Sequence, residues 1–140
     1  MKIGQAAQRV GVPIHVLRHW DEMGVVVPGR MTSGHRDYTE EHLRRLQVLQ
    51  ACQGVGMSLS DIRQVLHRHE SGRTGTIERH LRRIKDQRAR LEEAERFLEH
   101  VIGCEHDLLT RCGECATYAS TGSSSERERF AKTSHTLRTI

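Results

Sequence analysis

Cys104, His106, Cys112 and Cys115 place three thiols and one imidazole within twelve residues, spaced C-x-H-x5-C-x2-C. Four such donors can close a tetrahedral site, and Gly113 inside the C-x2-C element suits a metal knuckle. Soft thiolates take Zn(II), Cu(I) and their heavier relatives, so the residue types set a ligand class rather than one metal. The same residues could instead form a thiol switch for oxidants or electrophiles, with Arg111 and His106 lowering the thiol pKa values, or a purely structural zinc knuckle. A second group lies near the start of the chain. His15, Arg18, His19 and Trp20 fall within two helical turns, and Arg30, His35, Arg36 and Tyr38 follow in and around a G-H-R-D-Y segment. Such side chains donate to phosphate and base edges, the Trp20 indole can lie against sugar, and Arg36 makes a basic finger on a glycine-containing loop. Arg30 and Lys2 are weaker candidates.

Short helices must position the second group. Ile3, Ala6, Ala7 and Val10 recur at helical spacing, and Val12-Pro13 opens a second helix carrying Ile14, Val16 and Leu17. Joined at Gly11, the two read as a helix-turn-helix whose second member presents His15, Arg18, His19 and Trp20 outward together. Thr39 and two acids start a third helix with Leu43, Leu46 and Leu49 inside and Val48 widening that face. Ser58 to Asp61 caps a fourth with Ile62, Val65 and Leu66 inward. Cys52 is read as a small core residue.

A break at Ser71 to Gly75 precedes a long helix expected over 76–102, ahead of the cysteines. Ile77, Leu81, Ile84, Leu91, Leu98 and Ile102 alternate by fours and threes, with Arg88 and Glu95 in the remaining seam positions. A helix otherwise this polar calls for a second copy to cover the seam, since burying an aliphatic side chain is worth roughly 1.5–3 kcal/mol.

The segments I-G-x-x-A, G-V, L-R-H-W-D-E-M-G-V-V and G-H-R-D-Y resemble the MerR family of bacterial transcription regulators, and the likeness runs from Met1 to about Cys115. It implies a mainly α protein: a winged helix-turn-helix DNA-binding domain over 1–71, a dimerisation helix over 76–102 and an effector-binding loop over 103–118. The helix would form an antiparallel coiled coil across a homodimer, pairing Ile77 with Ile102, Leu81 with Leu98, Ile84 with Glu95 and Arg88 with Leu91. That register brings Cys104 near residues 69–75 of the other chain. The resemblance also implies promoter DNA and RNA polymerase as partners, with the effector-bound dimer distorting DNA until promoter elements align. Its metal-sensing branch carries loop cysteines at about the spacing of Cys104 and Cys112. Those sensors often add a cysteine at the start of the dimer helix. Here none lies between Cys52 and Cys104, and His69 is the nearest soft donor.

Bulk properties agree. The chain has 140 residues, a formal net charge of +4 and 4% aromatic residues. Residues 1–70 hold nine Lys/Arg against seven Asp/Glu, so placement rather than bulk charge must carry DNA binding. No apolar run is long enough for a membrane span and no signal peptide is evident, so a cytoplasmic protein with reduced cysteines is expected. A small zinc or thiol enzyme is the different-class alternative, but four donors would close the site to substrate. The expectation is therefore a DNA-binding regulator, not an enzyme, that senses Zn(II) or another thiophilic metal. Residues 119–140, rich in Ser, Thr and charge, are expected to be a disordered tail.

Overall fold

The computed structural model describes residues 1–105 and 112–121. In chain order these form α1 (Ile3–Val10), α2 (Ile14–Glu22), β1 (Gly29–Arg30), β2 (Arg36–Asp37), α3 (Glu40–Gly54), α4 (Leu59–Leu66), α5 (Arg73–Gly103) and α6 (Gly113–Thr121). The chain divides into two compact units, the first Met1–Arg82 and the second beginning at Arg83.

In the first unit the turn between α1 and α2 is set by Gly11, whose φ of 72° is left-handed. Both Gly11 and Val12 donate their N–H to the Ala7 carbonyl, closing α1 with a turn that a Cβ would strain. Pro13 is the cap residue ahead of α2 and not its first helical residue. Ala6 and Ala7 of α1, Leu17 and Trp20 of α2, Leu43, Leu46 and Leu49 of α3, and Ile62 of α4 share one core with Val25, Val26 and Tyr38. Cys52 is half-buried against that core. Ile14 and Val48 are largely exposed, because each lies on the flank of its helix's apolar stripe. The wing is a short antiparallel pair, Gly29 opposite Asp37 and Arg30 opposite Arg36. Thr39 Oγ1 accepts from the His42 N–H to cap α3, and Ser58 Oγ from the Asp61 N–H to cap α4.

The break ahead of α5 falls at Gly72, with φ 78°, and not across Ser71 to Gly75. The helix consequently begins at Arg73, three residues before the expected start, and the Arg73 guanidinium donates to the Val65 carbonyl at 3.0 Å. Thr76 and His80 are buried on this first stretch. Thr76 donates to Gln64, and His80 Nε2 lies 2.7 Å from Asp61 Oδ2.

In the second unit α5 continues to Gly103 and α6 packs on it through stacked Phe97 and Tyr118 rings, 4.3 Å apart and 7° from parallel. The expected loop over 103–118 and tail from 119 are corrected here, because 113–121 is helical. The Ala116 N–H donates to the Cys112 carbonyl and starts α6, and the ring stack gives the short helix an apolar anchor that its polar composition hides. Residues 122–140 of the expected tail lie outside the described residues. Along α5, Leu81, Leu91, Leu98 and Ile102 are exposed, Leu91 at 70% and Ile102 at 90%. Arg88 and Glu95 of the seam are exposed too, while Ile77 and Ile84 are half-covered.

Candidate functional site

α2 and the wing form one basic face of the first unit. His15, Arg18 and His19 are exposed on α2, and Arg30 and His35 are exposed on the wing. Lys2, Arg18, Arg30, His35 and Arg36 line a concavity of about 220 Å³ together with Ile3 and Gly34. Two expected contacts are corrected. Trp20 is 4% exposed and Tyr38 1%, so neither reaches outward with the basic side chains. Trp20 lies one helical turn from Leu17 and shares its inward face, and a chain with few aromatics spends these large rings on its core. Arg36 is half-buried, its Nε 2.6 Å from Asp21 Oδ2. Arg30 reaches the same oxygen at 3.4 Å, and the Asp21 side chain is nearly covered. Asp21 thus ties α2 to the wing and holds Arg36 firmly charged. The sequence reading missed Asp21; its signal was an acid in the last turn of a helix, which the helix dipole disfavours unless a cation is held against it.

The second unit gathers a different set. One donor atom from each of His100, Cys104, Cys112 and Cys115 lies within 4.8 Å of the other three. Cys112 and Cys115 are buried, while His100 and Cys104 are half-covered. His106, the expected fourth donor, lies outside the described residues. Among the described residues the fourth donor atom of the cluster is that of His100, from the last turn of α5, one turn before Cys104, a pairing the i, i+4 spacing could have disclosed.

Local structure prepares the thiols unequally. Cys112 immediately precedes α6, and the backbone N–H of Cys115 donates to its sulfur, as does that of Glu114. With His100 Nε2 only 3.1 Å away, these contacts bring the Cys112 thiol down to about 6, so it is a thiolate at neutral pH. Burial first, and then the neighbouring Cys112, push Cys115 up to about 11. No disulfide joins the four cysteines among the described residues. The second ring nitrogen of His100, Nδ1, lies 2.7 Å from Glu114 Oε2.

These donors fit a thiophilic metal. Bonds of about 2.3 Å to sulfur in a tetrahedral zinc site separate neighbouring sulfurs by roughly 3.8 Å. The observed spread is thus within about 1 Å of closure.

Residues 1–69 match the family described as MerR HTH family regulatory protein, and residues 43–101 match the one described as MerR, DNA binding. The HTH-type transcriptional regulator HmrR of Rhizobium leguminosarum bv. viciae is 33% identical over 112 residues, covering 76% of this chain and 87% of that protein. The chain belongs to the MerR family. A probable heavy metal-dependent transcriptional regulator of Haemophilus influenzae is 30% identical over 107 residues, 71% of this chain and 84% of that protein. Among solved structures, HiNmlR, a MerR family regulator lacking the sensor domain and bound to promoter DNA, is 28% identical with a TM-score of 0.58. That alignment covers 73% of this chain and 86% of HiNmlR. These relatives are transcription regulators, and a MerR-family assignment makes this chain a regulator rather than an enzyme. Among the described residues no helix is long and apolar enough to cross a membrane.

Proposed function

We propose that this MerR-family chain is a sequence-specific, homodimeric transcription regulator whose DNA output responds to a thiophilic metal ion held by Cys104, Cys112 and Cys115. The observation that carries it is the convergence of three sulfurs and the His100 imidazole at the end of α5. The heavy-metal dependence named for the Haemophilus influenzae relative supports the same effector class. When bound, the ion would supply a crosslink between the end of α5 and the start of α6. His15, Arg18, His19, Arg30, His35 and Arg36 would meet promoter DNA. Exposed Leu81, Leu91, Leu98 and Ile102 support the antiparallel α5 seam, since each leaves apolar surface on a polar helix. RNA polymerase would read the resulting promoter geometry, with the metal-loaded dimer paying a DNA deformation of a few kcal/mol.

The decisive experiment is elemental analysis and operator binding on protein purified without chelator. One thiophilic ion per chain is expected, and Cys112→Ser should abolish both the ion and the effector response while DNA binding persists. A normal response in that variant would sink the sensor. Leu91→Lys should yield monomers by sedimentation, because it sets a second cation against Arg88 of the paired helix; an intact dimer removes the register. The unequal Cys112 and Cys115 thiols favour one second reading, a redox switch in which Cys112 attacks first. It replaces the metal reading if metal-free protein still responds to oxidant.

A further inference from the structure

We propose that Glu114 is a positioning residue that aims His100 at the three sulfurs, so that a single chain presents a complete Cys3His set for one tetrahedral divalent ion. The inference rests on the metal reading above and goes beyond it by naming the nitrogen donor and the group that orients it.

His100 has one ring nitrogen on each side of the question. Nδ1 meets Glu114 Oε2 at 2.7 Å, and Nε2 meets Cys112 Sγ at 3.1 Å. A carboxylate accepts, so Nδ1–H is the donor to Glu114, and Nε2, whose contact with the Cys112 sulfur a metal ion would replace, is the nitrogen that faces the sulfurs. A carboxylate behind a ligating imidazole fixes its tautomer and ring orientation and raises its basicity. The two partners come from different elements: His100 from the last turn of α5, Glu114 from the first turn of α6, two residues after Cys112. Glu114 is 76% exposed and Phe97 stacks on Tyr118 without it, so α6 does not need this carboxylate to pack. Its carboxylate meets the His100 imidazole at 2.7 Å. The consequence is ion selectivity. Two thiolates suffice for a linear Cu(I) ion, whereas a borderline divalent ion such as Zn(II) gains from a fourth, nitrogen donor.

Full-length protein, stripped of metal under reducing conditions, would be titrated with Zn(II) against a chromogenic chelator, with Co(II) as the spectroscopic probe. Glu114→Ala should weaken Zn(II) binding about 10–100-fold, and Glu114→Gln should recover part of the loss because its amide oxygen still accepts from Nδ1–H. Cu(I) affinity should change far less. His100→Ala should alter the visible d–d bands of the Co(II) protein, since water replaces the nitrogen donor. Nitrogen shifts of His100 in the Zn(II) protein should place the metal on Nε2 and the proton on Nδ1. If wild type binds Zn(II) but Glu114→Ala stays within about twofold of it, or if the metal sits on Nδ1, the positioning role is overturned and the metal reading survives. If Glu114→Gln is as weak as Glu114→Ala and the His100→Ala spectrum is unchanged, His100 is no ligand. Wild type that binds neither Zn(II) nor Co(II) overturns both readings.

Discussion

Asp21 in the reading head and Glu114 in the cysteine cluster each join a helix to its neighbour through a basic side chain, yet they sit in opposite environments. The Asp21 side chain is 8% exposed and holds Arg36 and Arg30 across α2 and the wing. Glu114 is mostly in water and holds one face of His100. A covered carboxylate left without its cation is costly, so Asp21 belongs to the scaffold that presents the other basic residues. A solvent-facing pair contributes little to stability, so the use of Glu114 lies in what it does to the imidazole. The difference separates residues that hold the fold around a site from residues that act on its donor groups.

Trp20 is the strongest place to test that separation. If it is scaffold, Trp20→Ala should cost about 3–5 kcal/mol of unfolding free energy and lose DNA binding through the fold. Trp20→Phe should keep most of both. Retained stability in the alanine variant with weakened operator binding would return Trp20 to the interface.

The reading head was legible because one apolar stripe per helix dictates it. Ala6, Ala7, Leu17, Leu43, Leu46, Leu49 and Ile62 all follow from helical spacing, and all are buried. Trp20 and Tyr38 were misread because an aromatic residue among cations fits a core and a nucleic-acid surface equally well by type. Trp20 could have been placed by its three-residue step from Leu17. The cysteines were legible as a cluster by spacing alone. His100 was passed over because it lies outside the motif, although its i, i+4 step to Cys104 pairs those two, and the packing of α6 on α5 through Phe97 and Tyr118 brings it to Cys112 and Cys115. The start of α5 moved to Arg73 because Gly72, and not Gly75, takes the left-handed turn.

Arginines on the basic face divide along the same line. Arg18→Ala should weaken operator binding by about 1–3 kcal/mol and leave the melting temperature where it was, since the side chain is exposed and lies on the concave face. Arg36→Ala should lower both, because it also uncovers the charge of Asp21. Equal melting temperatures for the two variants would remove Asp21 from the scaffold.

The smallest expected effect concerns a second, only partly covered acid. Asp61, at the third residue of α4, faces His80 and Arg79 of α5. Its carboxyl is held below the usual 3.8, first by the hydrogen bond with His80 and further by Arg79 and Ser58. A carboxyl depressed in the folded state stabilises it fully above the ordinary carboxylate range and loses that contribution as pH falls through the folded value. Asp61→Asn should therefore cost about 1 kcal/mol at neutral pH, since the amide oxygen still accepts a hydrogen bond but without the charge. The gap between variant and wild type should begin to narrow below about pH 4, where the unfolded chain's carboxyl protonates, and close only below the lower value of the folded carboxyl. Denaturant melts across that range measure it directly. A gap that stays constant with pH would assign Asp61 only a neutral, packing role where α4 meets the start of α5.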